Sequence, residues 1–572
     1  MRQQHRVWRG SGRAALVIAG LLLGTVGLWQ AAPGAQGVQG TSTLTGRVTA
    51  DKGEVRALRV QARDAGRGIV YTVFTTEGQY RILNLRAGTY EVQVVEGTFD
   101  SPVQRMTLAV GQTGTVNLAI AQKADAGSQY TQIVNSRSAS LGAVNATAEL
   151  VEFDELYPPG PGRDLLIAEC TGCHGPGWHR LEGRTAEQWA KGLERMFIND
   201  SGGQHYARKI VGPGAMSAVE KQALITYLAT AFGPNYKPTK DLRLDPIVRD
   251  EEALSRAIFI QYELPPMADP EEAKARGLRR GTHDVFPASE PGKIWMAGFF
   301  SSSVVQVDVN NPDIEARTKE WDISSDTPRG ARPHGIVESH GYVYWTAQND
   351  DYIGAMNIKT GEMQRFPGTP YGGPHTLRAD SKGNIFWTEA AGIGQLGRLD
   401  ARTRKVTLYD VKKNANWYGI VVDQQDQVWA AGLSRHSLAK YDPATDRWTL
   451  YSPPQNLRRL TVDSQGNIWG NSYFGNSEIM FDPKTETFTE YRLPLKYGNP
   501  YEGWADNDDN VWLEVAAYNS LAKLDAKTKR YTYYPMPNLG AHTPKMETGP
   551  DGTLWFGMSG TLTNFMPTGN VP

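Results

Sequence analysis

The strongest constraint on this chain is a repeat in its second half. A turn and a strand lead, time after time, into a Gly or Asp, then one variable residue, then a hydrophobic residue, then an aromatic one. The aromatic falls at Trp295, Tyr344, Phe386, Trp429, Trp469, Trp512 and Trp555, at spacings of 49, 42, 43, 40, 43 and 43 residues. A period of about 40 to 45 residues with some four short strands per unit marks sheets repeated radially around an axis. Seven units predict a seven-bladed β-propeller over residues 256–572. Segments such as 399–410 and 481–494 read as two outer strands around a turn. The last unit has no such ending after Asn564-Phe-Met-Pro567. Ile258-Phe-Ile-Gln-Tyr-Glu-Leu-Pro265, ahead of the first unit, has the missing pattern. Residues 256–265 are therefore expected to complete the seventh blade and hide its open edge.

The repeat corrects a count made from length. At roughly 150 residues per domain the 572 residues suggest about four domains. A propeller of about 310 residues counts as one, which leaves three. The expected fold class is multidomain and mainly β: a small β-sandwich, an α-helical domain and the propeller. Lys and Arg number 60 against 61 Asp and Glu, so the net charge is -1 and no basic excess points to nucleic acid. Gly at 60, Trp at 15 and Tyr at 25 fit many turns and recurring strand aromatics.

Residues 1–40 read as a secretory signal. Arg2, Arg6, Arg9 and Arg13 precede an apolar run over 14–28 and a stretch of small residues. An exported, periplasmic chain is expected, with membrane association only if this segment is retained. Residues 41–122 alternate with period two between Gly, Asn and Asp turns, which predicts a small antiparallel sandwich. The order TGRV…ALRVQARD…TVFTTEGQYRILNLRAGTYEVQV resembles the carboxypeptidase regulatory-like family. It contains no Cys or His, and a docking or spacer role is expected. Residues 123–160 and the charged stretch 239–255 read as linkers.

The two cysteines of the chain are Cys170 and Cys173, followed by His174. Thiols at i and i+3 fall on one side of a helical turn, where they can add to two vinyl groups while the next imidazole meets the iron. Cys-x-x-Cys-His is a c-type haem attachment pattern. A zinc site would need further Cys or His at ligand spacing, and a thioredoxin-like pair would need a strand before it. Residues 161–238 resemble a mono-haem cytochrome c domain, which implies one covalent haem c and a redox partner protein. Thr185 is placed to cap a helix carrying Trp189, Leu193, Met196 and Phe197. Ser217 opens a capping box for a last helix through Leu224, Tyr227 and Leu228. Met196 is the favoured sixth iron ligand and Met216 the alternative; His179 and His205 would give a bis-His iron.

Four units begin their innermost strand with His: His283, His334, His375 and His542. Inner strands line a propeller's channel, so these imidazoles either bond to neighbouring backbone or, with Glu389 and Glu502, form a site for a divalent metal or a small-molecule substrate at its mouth. The segments PHGIVESHGYVYWTAQNDD and PHTLRADSKGNIFWTEA resemble the repeats of virginiamycin B lyase, which implies metal-assisted elimination. By that resemblance His334 corresponds to the substrate-positioning His, His375 to the base and Glu389 to a metal carboxylate. The family has Glu two residues before its base; Gly373 stands there in this chain. The expected function is an exported electron-carrying cytochrome whose propeller binds substrate or partner. The alternative is a carbon–oxygen lyase, or a non-catalytic binding propeller, with an accessory haem.

Overall fold

The computed structural model describes residues 40–123, 148–167, 178, 181–197, 217–323, 330–370, 372–390, 395–413, 415–473, 475–539, 543–558 and 560–571. The signal segment, Cys170, Cys173, His174, His179, His205, Met216 and His542 lie outside them, as does the side chain of Met196. Among the described residues no helix is long and apolar enough to cross a membrane.

Six four-stranded antiparallel sheets and a seventh blade that is part of a larger sheet follow the repeat. Each places its recurring aromatic on the second strand, and all seven are at most 5 % exposed. The polar half of the repeat has a local cause. In blades four, five and six an Asp six residues upstream accepts the indole N–H: Asp423 from Trp429 at 2.8 Å, Asp463 from Trp469 at 2.9 Å and Asp506 from Trp512 at 2.7 Å. The same Asp accepts backbone N–H groups of its own turn. One side chain thus closes the turn and fixes the buried ring.

The seventh sheet is completed as its pattern requires. Strand Ile258–Glu263 pairs antiparallel with Thr561–Met566 in the register Ile258↔Met566 to Glu263↔Thr561. Its other edge is also paired, a feature the alternation of 256–265 does not announce. Ile69–Phe74 of the sandwich runs antiparallel to it in the register Phe259↔Thr72 to Tyr262↔Ile69. The result is one eight-stranded sheet that begins in the propeller and ends in the sandwich. Phe259 and Tyr262 are 0 % and 1 % exposed, and the cores of the two parts are continuous across them. The second sandwich sheet departs from the expected antiparallel pattern. Its strand Ser42–Ala50 pairs parallel with Thr113–Thr115 and Leu118–Gln122, and antiparallel with Gln79–Leu85.

A small helical unit stands where the helices are expected. Thr185 and Gln188 form a reciprocal cap on helix Ala186–Phe197. Ser217 and Glu220 do the same for Ala218–Ala231, each cap being worth about 1 kcal/mol. Trp189 is buried and donates its indole N–H to the Phe232 carbonyl at 3.1 Å. Both stretches read as linkers are partly structured. Glu149–Val151 pairs parallel with Lys240–Leu242, because Leu156, Tyr157 and Leu242 belong to the helical unit's apolar cluster. The unit docks where Phe153 stacks on Tyr497 at 5.1 Å and the Asp245 N–H donates to the Tyr518 hydroxyl at 3.1 Å.

The seam between sandwich and propeller holds a charged cluster. Glu96, 5 % exposed, accepts from Arg59 at 2.8 and 3.1 Å and from Arg249 at 3.0 and 3.1 Å. Arg59 also donates to the Met536 carbonyl of the sixth blade at 2.8 Å. Burial alone pushes the Glu96 carboxyl up, but the two guanidiniums outweigh it and hold it down to about 2, against an ordinary 4.5. This stabilisation is complete above about pH 5 and is lost as pH falls toward about 2. Replacing Glu96 with Gln leaves two guanidiniums uncompensated and is expected to cost about 3–5 kcal/mol at neutral pH. It should also flatten the acid limb of stability. Urea denaturation from pH 7 to pH 3 reads both, and a variant as stable as the parent would remove this cluster from the seam's energetics.

Candidate functional site

Two residues at the start of each innermost strand meet on the propeller axis. Registered against the recurring aromatic, the first ring of positions is His283, His334, His375, Tyr418, Arg458, Tyr501 and Pro544. The second is Asp284, Gly335, Thr376, Gly419, Arg459, Glu502 and Lys545. The strands are shaped to present them. In blades two, three, four and six the ladder slips register between Pro333 and Ile336, Pro374 and Leu377, Trp417 and Gly419, and Pro500 and Gly503. A bulge of this kind re-aims side chains. Two residues before each ring position the chain turns through left-handed backbone, at Arg332 (φ 51°), Gly373 (φ 59°), Asn416 (φ 51°) and Asn499 (φ 51°). Gly373 thus occupies a position whose backbone favours glycine. Its N–H donates to Asp351 Oδ1 at 2.9 Å.

The first ring is a stack. The rings of His283 and His334 lie 3.5 Å apart between centroids, His334 and His375 3.6 Å, and His375 and Tyr418 3.8 Å. Tyr418 and Tyr501 share a hydroxyl–hydroxyl hydrogen bond of 3.1 Å. The Arg458 guanidinium lies 3.7 Å from the Tyr501 ring centroid and 4.5 Å from that of Tyr418, and donates to the Tyr418 hydroxyl at 2.8 Å. All six of these side chains are buried.

The second ring is an ion-pair network that crosses the axis. Arg459 approaches Glu502 at 3.2 Å and Asp284 at 3.9 Å; Lys545 donates to Glu502 at 2.8 Å and approaches Glu547 at 3.3 Å. Arg378 donates to Glu547. Three cations face three carboxylates from five blades, so the axis at this depth is filled with compensated charge. Burial pushes the Asp284 carboxyl up, yet its bond from His283 and the charges of Arg459 and Lys545 prevail and hold it below the usual range. Glu502 goes the other way, because burial outweighs Lys545 and Arg459.

Of the residues picked out from the sequence, His334 and His375 are brought together and His283 joins them. Glu389 does not join the stack: its Oε1 accepts from the Thr369 N–H at 2.9 Å and the Trp387 indole at 3.3 Å. Burial pushes its carboxyl up, which disfavours a charged metal ligand. Glu502, considered as a metal carboxylate, is occupied by Lys545 and Arg459. Among the described residues the grouping able to hold an ion is His283, Asp284 and His334. Tyr418, Arg458, Arg459, Tyr501 and Lys545 escaped sequence reasoning. Their signal is positional: Tyr418, Arg458 and Tyr501 each stand 11 residues before their blade's aromatic, as His375 does.

Fold and site define a multidomain, mainly β chain built around a propeller. Its residues 43–121 match the carboxypeptidase regulatory-like domain, so the sandwich belongs to that family. Comparison with curated proteins yields no match. The propeller is similar to a streptogramin B lyase at 19 % identity, with a TM-score of 0.47, over 54 % of this chain and 97 % of that one. It is similar to virginiamycin B lyase from Staphylococcus aureus at 16 % identity, with a TM-score of 0.47, over 54 % and 99 %. YCF48 bound to D1 peptide follows at 11 % identity, with a TM-score of 0.40, over 54 % and 94 %.

Beside the network Glu478, 0 % exposed, has neither carboxylate oxygen hydrogen-bonded among the described residues. Burial, and then the charge of Glu502, push its carboxyl well above the ordinary 4.5. A carboxyl raised in the folded state contributes stability that is full below its unfolded pKa and lost as pH rises through the folded one. Replacing Glu478 with Gln is therefore expected to stabilise the protein at pH 8 by more than about 1 kcal/mol and to change little at pH 4. Thermal unfolding at the two pH values decides; a Gln variant destabilised at pH 8 would show that the carboxylate has a partner.

Proposed function

We propose that the chain is an exported, periplasmic mono-haem c-type cytochrome that carries single electrons, with its propeller binding a small substrate or a redox partner protein. The observation that carries this reading is Cys170-Thr-Gly-Cys173-His174, which holds both cysteines of an exported chain. The surrounding described residues fit such a group. Leu166, Trp178, Trp189, Leu193, Leu224 and Leu228 are buried in one apolar cluster. The Tyr227 hydroxyl, buried in the same cluster, has no hydrogen-bond partner among the described residues, and burial pushes it up to about 12. A neutral phenol that keeps its proton is available as a donor to a carboxylate-bearing group.

Cys170 and Cys173 would hold the haem covalently, and His174 with Met196 would ligate its iron, with Met216 as the alternative to Met196. When bound, the group supplies reversible one-electron transfer; a Met ligand raises its potential relative to bis-His. The chain's own contribution is exclusion of water: Trp189 and Leu228 close the cluster, and the two capped helices fix the facing side chains. An elimination chemistry in the propeller is the weaker reading. It has His334 and His375 adjacent, but Glu389 is held by Thr369 and Trp387 and does not join them.

Expression with c-type haem maturation tests the reading. A haem that remains on the chain in a denaturing gel is expected, and its loss in both Cys170→Ser and Cys173→Ser. Met196→Ala should abolish the methionine–iron band of the oxidised spectrum and lower the potential, while Met216→Ala leaves both; the reverse outcome would exchange the two ligands. A chain matured without covalent haem would end the proposal.

A further inference from the structure

The first ring contains more than a stack of imidazoles. The ligand atoms of His283, Asp284 and His334 all lie within 4.8 Å of one another, and each residue is buried. His283 and Asp284 are neighbours on the innermost strand of blade one, and His334 comes from blade two. Packing of blade one against blade two brings them together. Asp284 Oδ1 lies 2.7 Å from His283 Nδ1, which holds the carboxylate and the imidazole together at one place. Asp284 Oδ2, on a residue 1 % exposed, has no hydrogen-bond partner among the described residues. Arg459, 3.9 Å away, approaches Oδ1 and has its closer carboxylate contact with Glu502. A buried carboxyl oxygen with no hydrogen-bond partner beside two imidazoles is costly unless something fills it.

We infer that His283, Asp284 and His334 form a binding site for a single first-row transition-metal ion at the centre of the propeller. Two imidazoles and one carboxylate suit zinc, copper, iron or nickel better than magnesium, which prefers oxygen ligands and an octahedron of them. The three ligands leave coordination positions open. The site differs from the set suggested by His334, His375 and Glu389, since it draws on blade one and omits Glu389. His375, whose Nδ1 faces Thr376 Oγ1 at 3.0 Å and the Tyr418 carbonyl at 3.3 Å, flanks the site. The inference deepens the reading of the propeller as a binding body. It is independent of the haem, because the site shares no residue with Cys170–His174.

The test uses the full-length protein, stripped with chelator and dialysed, with Zn²⁺ and Mg²⁺ as probes. Calorimetry should show one Zn²⁺ per chain, not displaced by millimolar Mg²⁺. Affinity should fall at least tenfold in His283→Ala, Asp284→Asn and His334→Ala, and stay unchanged in the surface variant His340→Ala. Binding should weaken as pH falls and protons compete for the imidazoles. Glu389→Gln separates the two ligand sets: unchanged Zn²⁺ affinity supports the present one, and a loss equal to that of His334→Ala overturns it. Should the ring variants fold poorly, Cu²⁺ on the unaltered protein gives a second readout, with nitrogen splitting from two imidazoles expected in its paramagnetic resonance. Absence of stoichiometric Zn²⁺ and Cu²⁺ binding, or binding indifferent to His283 and His334, overturns the inference. Haem is quantified separately by its pyridine spectrum, so a haem-free chain that binds Zn²⁺ defeats the cytochrome reading alone.

Discussion

Everything in the propeller half depends on one strand with two paired edges. Ile258–Glu263 hydrogen-bonds to Thr561–Met566 on one side and to Ile69–Phe74 on the other. The first pairing closes the ring by joining the beginning of the repeat to its end. The second turns what would be the outer edge of blade seven into the middle of a longer sheet. A sheet edge is a template for unwanted pairing, and here the sandwich covers it with its own strand. The carboxypeptidase regulatory-like domain is in this sense part of the propeller's structure.

The centre of the molecule follows from that closure. Asp284 belongs to blade one, Arg459 to blade five, Glu502 to blade six and Lys545 to blade seven, and these groups meet only when the circle is complete. A buried charge network tolerates little misplacement, since an unpaired member is expensive. The bulges at the strand starts and the left-handed residues before them set where each side chain points. Closure strand, bulges and charged ring thus form one dependent series, from pairing to geometry to chemistry.

Much of this was legible in the residues. The aromatic at a period near 43 gave seven blades, and the outer-strand pattern of 256–265 gave the closure, because both are signals of local alternation. The second partner of that strand was not legible: Phe259 and Tyr262 alternate identically whether their outer edge meets water or another domain. Parallel pairing of Ser42–Ala50 was missed for a similar reason, since alternation reports burial of a face and says nothing of strand direction. At the site, His283, His334 and His375 were visible because they repeat a residue type. Tyr418, Arg458 and Tyr501 repeat only a position, and Asp284 was hidden beside a more conspicuous histidine. Cys170, Cys173 and His174 remain a reading of sequence, on which the cytochrome proposal stands.

Hydrogen exchange on the full-length chain tests the shared strand most directly. If one sheet runs through both domains, the amides of Ile258–Glu263 are as protected as those of central strands. They should then open together with Ile69–Phe74 and Thr561–Met566, at a common denaturant dependence. If instead Ile69–Phe74 exchanges early and leaves Ile258–Glu263 with the fast exchange of an exposed edge, the two domains are separate bodies and the account is contradicted.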